Sequence, residues 1–550
     1  MKRFFIPFFK VLLFFLLSAT VSFAQQAPDW QWTKKVGSSG VDNGQHIALT
    51  KRGWMFVTGR YSGNVDFRGQ FGNIRIGGLG STDMFLALYD DLGYARWVRR
   101  GGGSGFDQGK SVAVDGAGNI YVAGIFNATA SFQTGMSVTS AGYNDLFVVK
   151  YDTLGSVRWV KRMGGNGFEN NPSLVISRNG NLFLTGNFSG KANFGTDTLT
   201  SAGSDDVFVA RMDTAGNFMW VRKAGGPNSD LSGGIAVDNA DNVYLTGRFT
   251  NTAAFGTNNL ISAGSADIFV AKYNATGAIQ WANRFGGSGL DAGNALVADG
   301  AGNTYLTGSF ENNFAVGTTT ITSSGSSDVF VIKLNTSGAP QWARTAGSTV
   351  SDAGRALALD AISSVYVTGV YQGKIGFGTD SLTSAGADDI FIAKYSSSGN
   401  KQWIKRTGGT MNESALALTV DKTNNIYLTG FFQNKVGFNP DTLTSVSNSE
   451  DIFIGRISAN PLPVAVPADI TTTQNWLIYP NPFTESIALR NNTGQSGRLT
   501  VYNLTGAVIR DIPVSSAPET EIWLNGLGNG VYMFVVTYGS QREVFKVLKQ

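Results

Sequence analysis

The chain has no cysteine, so disulfides, thiolate nucleophiles and cysteine-ligated zinc are excluded. Its single histidine, His46, excludes any site that needs two, the HExxH zinc proteases among them. Charged residues are scarce, 15% where ~25% is usual. No GxSxG stretch occurs, which removes the serine hydrolases built on that turn. What is abundant is glycine, 70 of 550 residues. Each Gly costs a helix interior roughly 1 kcal/mol relative to Ala, so long helices are disfavoured. Hydrophobic residues at 42% and aromatics at 12% suffice for a packed core and are too many for a disordered chain. A large Gly-rich all-β protein remains.

The N-terminal 24 residues read as a signal peptide. Lys2 and Arg3 precede Phe4, Phe5, Phe8 and Phe9, the apolar run Val11–Leu17 follows, and Ser22-Phe23-Ala24 supplies small residues at the cleavage spacing before Gln25. Val11–Leu17 falls far short of the ~20 residues of a spanning helix, and no cysteine follows for lipid anchoring. Without Lys2, Arg3 and Lys10 the chain holds 40 basic against 39 acidic residues. That balance gives no basic face, so nucleic acid is not an expected partner, and the mature protein is expected to carry no transmembrane segment.

Near the other end, residues 459–474 carry Pro461, Pro463 and Pro467 and then Thr471–Thr473, the composition of a linker. Beyond it, Leu499–Leu504, Val508–Pro513, Val531–Thr537 and Val544–Leu548 are strand-like. In order come Tyr479-Pro480-Asn481-Pro482-Phe483, Val501-Tyr502-Asn503-Leu504-Thr505-Gly506, Gly530-Val531-Tyr532, and Lys546-Val547. These motifs resemble the type A C-terminal sorting domain of the bacterial type IX secretion system, over residues 475–550. The resemblance implies a small β-sandwich read by outer-membrane secretion machinery and removed by a sortase-like processing enzyme. The cargo would then be left at the cell surface or released. Tyr479, Pro480, Asn481, Pro482, Gly506, Gly530, Tyr532 and Lys546 are the positions that carry it.

Residues 25–458 repeat one unit seven times. Tryptophan recurs at Trp32, Trp97, Trp159, Trp220, Trp281, Trp342 and Trp403, spaced 65, 62 and then 61 apart. An aromatic-x-Thr/Ala-Gly strand ending at Gly59, Gly124, Gly186, Gly247, Gly308, Gly369 and Gly430 keeps step. So does an aspartate followed by an apolar residue and Phe: Asp83, Asp145, Asp206, Asp267, Asp328, Asp389 and Asp451. Three markers in register at one period mean one structural unit repeated. The clearest copy predicts strands at Asn294–Asp299, Thr304–Phe310, Asp328–Leu334 and Pro340–Arg344, with an irregular segment between the second and third. The third strand, apolar on both faces, suits a sheet packed between two others. The cations around the fourth-strand Trp, such as Arg99 and Arg100, are read as protection of an outer edge.

A four-stranded sheet repeated radially is a β-propeller blade. The chain begins with a lone fourth strand, Trp30–Lys35, and the last repeat ends after a third, Asp451–Ile457, so the N-terminal strand is expected to close the ring. Residues 30–458 number 429, two more than seven periods of 61. The expected fold class is thus all-β, a seven-bladed β-propeller with four-stranded blades followed by a small C-terminal β-sandwich. The repeats resemble the SBBP (seven-bladed β-propeller) family of secreted and surface proteins, with Asp291, Gly293, Gly302, Asn303 and Tyr305–Gly308 carrying its pattern. That likeness implies the fold and no reaction.

Acidic residues recur where each first strand begins: Asp42, Asp107, Glu169, Asp230, Asp291, Asp352 and Glu413. First strands line a propeller's channel, so these acids could form a ring at its mouth and hold Ca²⁺. The competing reading is that each caps its own turn by accepting backbone N–H bonds. No other cofactor is called for. The Gly runs, such as Gly101–Gly105, are inter-blade turns, because they recur between the repeats and no helix opens after them. Off-pattern residues gather in the first unit (His46, Arg52, Trp54, Arg75), and Glu311 is the other off-pattern acid. The expectation is a surface-displayed, non-enzymatic module that binds a glycan or an envelope protein through the face with the longer loops. A propeller acting on polysaccharide, with two carboxylates ~5–9.5 Å apart, and a structural spacer are the alternatives.

Overall fold

The computed structural model describes residues 27–458, 475–503, 508–539 and 541–549. The expected signal peptide, the Pro/Thr linker and Gly506 lie outside the described residues. The chain is all-β and forms two compact units, one holding residues 27–458 and the other residues 475–549.

In the larger unit the same antiparallel meander recurs. Ala292–Ala298 pairs with Thr304–Phe310, which pairs with Asp328–Leu334, which pairs with Pro340–Ala346. Turns between these strands are Asx turns. Asn335 Oδ1, for instance, accepts the N–H groups of Ser337 and Ala339, at 3.0 and 2.9 Å, and Gly338 takes the positive φ that follows. At the ends of the unit, Trp30–Val36 pairs antiparallel with Glu450–Ile457, Trp30 opposite Ile457 and Val36 opposite Ile452. The first strands contact one another in sequence, and Glu413–Val420 contacts Asn43–Leu49, which closes the circuit. The arrangement is a β-propeller.

The segment between second and third strands is not irregular, as the sequence suggests, but a β-hairpin. In the sixth repeat Lys374–Phe377 pairs with Asp380–Thr383. In the third repeat the hairpin continues directly from the long strands Leu182–Phe194 and Asp197–Met212. An apolar anchor fixes each one. Phe194 meets Phe208 at 4.7 Å, Phe255 meets Phe269 at 4.8 Å, and Phe377 meets Phe391 at 5.4 Å, all buried. The hairpins also reach the preceding sheet: Ala224 and Gly225 pair with Phe255 and Ala254. Short alternating strands with one buried Phe look irregular in sequence, and only the packing partner two strands away reveals them.

The fourth-strand tryptophans join neighbouring sheets. Trp220 Nε1 donates to the Ala275 carbonyl of the next repeat at 3.0 Å, and Trp32, Trp159, Trp281 and Trp342 repeat the bond at 3.0 to 3.3 Å. The flanking cations are spent on internal bonds as well. Arg99 donates to the Gly155 and Leu154 carbonyls of the next repeat, and Arg162 and Arg284 pair with Asp145 and Asp267 of their own third strands. Edge protection, the sequence-based reading, is at most a by-product of inter-sheet bonding.

The smaller unit has two sheets. One orders Trp476–Tyr479, Ser486–Asn491 and Glu519–Trp523. The other orders Val508–Val514, Gly497–Tyr502, Gly530–Tyr538 and Gln541–Lys549. Trp476, Ile487, Leu489, Leu499, Val501, Phe534, Val536 and Val547 form one buried core between them.

Candidate functional site

The seven acids expected around a channel mouth are not gathered there. Each is at most 1% exposed and turns back onto its own turn. Ser38, Gly103, Gly165, Gly226, Gly287, Ser348 and Gly409 donate their backbone N–H groups to Asp42, Asp107, Glu169, Asp230, Asp291, Asp352 and Glu413, at 2.5 to 3.2 Å. A carboxylate four residues after an extended turn satisfies a backbone donor more cheaply than it could share a distant ion. Among the described residues no three acids or histidines come together as a metal site. The Ca²⁺ ring is thereby replaced by seven separate positions.

At each position the acid meets the third-strand aspartate of the preceding repeat, itself buried: Asp83 beside Asp107, Asp145 beside Glu169, and so on around to Asp451 beside Asp42. Burial pushes the carboxyls of the seven first-strand acids up, and for all but Asp42 the facing aspartate adds to it. Glu169 and Glu413 rise to about 8, Asp107 and Asp230 to about 7, and Asp42, Asp291 and Asp352 to about 6. The glycine between the two acids has no room for a side chain. A Cβ on Gly225, at φ +150°, would lie 2.6 Å from Asp206 Oδ1 and 2.9 Å from Asp230 Oδ2.

What faces the axis was not read from the sequence. Every first strand shifts register two or three residues beyond its acid, leaving a residue with no cross-strand partner: Gln45, Lys110, Gly233, Asn294, Arg355 and Leu416, with Asn171 and Pro172 in the third repeat. The neighbouring repeat leaves no room for a side chain just before the shift. A Cβ on Gly109 would stand 2.1 Å from Thr58 Oγ1, whose hydroxyl is held by the Phe85 carbonyl at 2.7 Å. A signal existed, since the residue three places after the acid differs in every copy, but without the bulge nothing says that it points to the axis.

These residues line a cavity of about 540 Å³ whose walls carry no acid among them. Burial, with Arg60 nearby, pulls Lys110 down to about 8. Arg355 is open to the cavity yet surrounded by protein. Its pKa is drawn down by that surround, which Asp388 partly offsets. His46 accepts the Val112 N–H at 3.3 Å and is pulled to about 4 by burial, so it stands neutral as a structural acceptor.

A second cavity, of about 490 Å³, adjoins Lys110 and is lined by Phe106, Gln108, Ile125, Asn127, Asn144, Asn170 and Asn171. Beside it Tyr143 and Phe168 stack at 4.3 Å with ring planes 9° apart, although 63% and 51% exposed. Glu311, the off-pattern acid, accepts the Leu290 N–H at 3.1 Å, as Asn127 accepts that of Phe106 at 2.8 Å in its own repeat.

In the smaller unit Asn481 acts as a bridge, its amide donating to the Lys546 carbonyl at 2.8 Å and its carbonyl accepting the Leu548 N–H at 2.9 Å. Phe483 is buried, its N–H bonded to the Leu548 carbonyl, and Tyr479 donates to Glu519 at 2.6 Å. The peptide bonds before Pro480 and Pro482 are cis, Gly530 has φ +154°, and Tyr532 donates to the Gly528 carbonyl. The motif residues thus fasten the start of the unit to its last strand.

Comparison with known proteins agrees. Residues 477–550 match the family described as "Secretion system C-terminal sorting domain", and residues 96–124 match the one described as "Beta-propeller repeat". The chain thus carries a β-propeller repeat at residues 96–124 and a type IX sorting domain at residues 477–550. That domain marks the protein for secretion to the cell surface or beyond, and for contact with the secretion machinery. Among the described residues no helix is long and apolar enough to cross a membrane. An uncharacterized WD repeat-containing protein of Acanthamoeba polyphaga mimivirus is 23% identical over 456 residues, covering 64% of this chain and 32% of that one. The regulatory protein FlaEY of Caulobacter vibrioides is 25% identical over 359 residues, covering 60% and 36%. The chain therefore spans about a third of the length of these relatives. Among solved structures, a Dyadobacter fermentans protein of unknown function covers 63% of this chain and 93% of its own, at 10% identity and a TM-score of 0.36. YCF48 bound to D1 peptide covers 79% and 98%, at 8% identity and a TM-score of 0.37.

Proposed function

We propose that this β-propeller-repeat protein is a seven-bladed propeller, displayed at the cell surface after its sorting domain is removed, that binds a glycan and catalyses no reaction. The seven recurring meanders and the closing strand Trp30–Val36 support the blade number. The observation that carries the binding reading is the exposed Tyr143–Phe168 stack beside a cavity lined by Gln108, Asn127, Asn144, Asn170 and Asn171. Flat aromatic faces cover the apolar faces of sugar rings, and amides match hydroxyls as donors and acceptors at once. An envelope protein remains the other partner of the same face. The polysaccharide-cleaving alternative requires two carboxylates facing an open cleft, whereas Glu311 is committed to a backbone N–H.

A glycan array probed with the mature chain tests the reading. Binding that disappears in Tyr143→Ala/Phe168→Ala, with the melting temperature unchanged, supports it. A blank array from a folded protein overturns the glycan reading and directs attention to protein partners or a spacer role.

A further inference from the structure

We propose that the cavity on the propeller axis is a binding site for a small dianion, a molecule with two carboxylate, sulfate or phosphate groups, held between Lys110 and Arg355. The inference stands apart from the glycan reading, because it uses the axis and not the Tyr143–Phe168 stack.

Three observations carry it. Lys110 and Arg355 occupy the unpaired bulge position of their first strands, so both belong to the wall of the same cavity. Their strands stand three apart in the closed circuit Asn43–Leu49, Asp107–Val114, Glu169–Ile176, Leu231–Val237, Ala292–Ala298, Ala353–Leu359 and Glu413–Val420. That is as far apart as seven positions allow, which places the two cations across the axis from one another. Like charges on opposite walls suit a ligand with an anionic group at each end.

Neither cation has a hydrogen-bond or ion-pair partner among the described residues, whereas Arg99, Arg162, Lys223 and Arg284 elsewhere in the repeats all do. The acid nearest Arg355 is engaged otherwise, since Asp388 Oδ1 accepts the Gln372 amide at 2.7 Å. A half-desolvated cation with no counter-charge in hydrogen-bond contact is costly to keep, and the repeat offers Gly, Asn, Gln or Leu at the same position in other copies. Among the other polar groups of the wall, Gln45 and Asn171 add donors, and none adds a negative charge. The carboxylates that could neutralise the axis are turned away into the junctions between sheets.

Isothermal titration of the mature protein with linear dicarboxylates of two to six carbons, with inorganic sulfate and phosphate, and with acetate as the single-charge control tests the site. The expected result is one-to-one binding of a dianion at least tenfold tighter than acetate, with an optimum in dicarboxylate length that reports the span. Preference among carboxylate, sulfate and phosphate then identifies the anionic group. Lys110→Met and Arg355→Met should each weaken binding at least tenfold, Lys110→Arg should retain it, and Tyr143→Ala/Phe168→Ala should leave it unchanged. No binding at millimolar concentration, or binding that survives Lys110→Met/Arg355→Met in a protein with an unchanged melting temperature, would overturn the proposal.

Discussion

The junctions between neighbouring sheets and the axis are built from the same first strands, yet they differ in kind. At the junctions the residues are nearly the same in every copy: a buried acid, a third-strand aspartate facing it, a glycine between them, and a tryptophan bonded across. On the axis the residue at the equivalent place is Gln45, Lys110, Gly233, Asn294, Arg355 or Leu416. Repetition marks the contacts that every sheet needs to hold the next. Variation marks the surface that no neighbour constrains, and there a ligand can be accommodated.

The comparison can be broken most sharply at the junction. Trp220→Ala removes the ring that sits 6.2 Å from Phe183, its bond to Ala275, and the surface under the Arg222 guanidinium. The expected loss is about 3–5 kcal/mol, read from urea unfolding. Gly225→Ala places a Cβ against Asp206 at a positive φ, and a loss of about 2 kcal/mol is expected in the same assay.

The acid pairs give the comparison a pH signature. The first-strand carboxyls of these pairs bind protons more tightly folded than unfolded, so their stabilisation is complete below about pH 4. It is lost as the pH rises through 6 to 8, where the folded groups ionise. The melting temperature should therefore fall between pH 5 and pH 8, and Asp107→Asn should reduce that fall, since an amide stays neutral. A flat profile would mean that the pairs are already neutralised in another way. The smallest effect is expected on the axis. Lys110→Ala and Arg355→Ala should cost no more than about 0.5 kcal/mol of stability, because neither side chain has a hydrogen-bond or ion-pair partner among the described residues. A large loss from either would place the axis among the structural contacts.

Much of this was legible in the residues. The Trp spacing, the Tyr-x-Thr-Gly strands and the Asp-x-Phe starts announced the repeated sheet, because strand alternation and turn chemistry are local properties written every 61 residues. The lone strand at Trp30 announced its partner at Ile457 by simple count. The hairpins were not legible, since a four-residue strand such as Lys374–Phe377 is held by a Phe–Phe contact and not by its own pattern. The cations flanking the tryptophans were visible too, but the carbonyl acceptors of Arg99, Arg222 and Arg344 lie 55 or 56 residues away.

The acids show most clearly where sequence stops. Spacing by itself determined that seven carboxylates would stand at the starts of seven strands, and the C-terminal motifs, through their resemblance to a sorting domain, pointed to export. Only the tertiary structure decided that they turn away from the axis and face a second acid across a glycine. The reason is physical: a backbone N–H four residues earlier is the nearest donor, and the register shift rotates the next side chains toward the channel in their place.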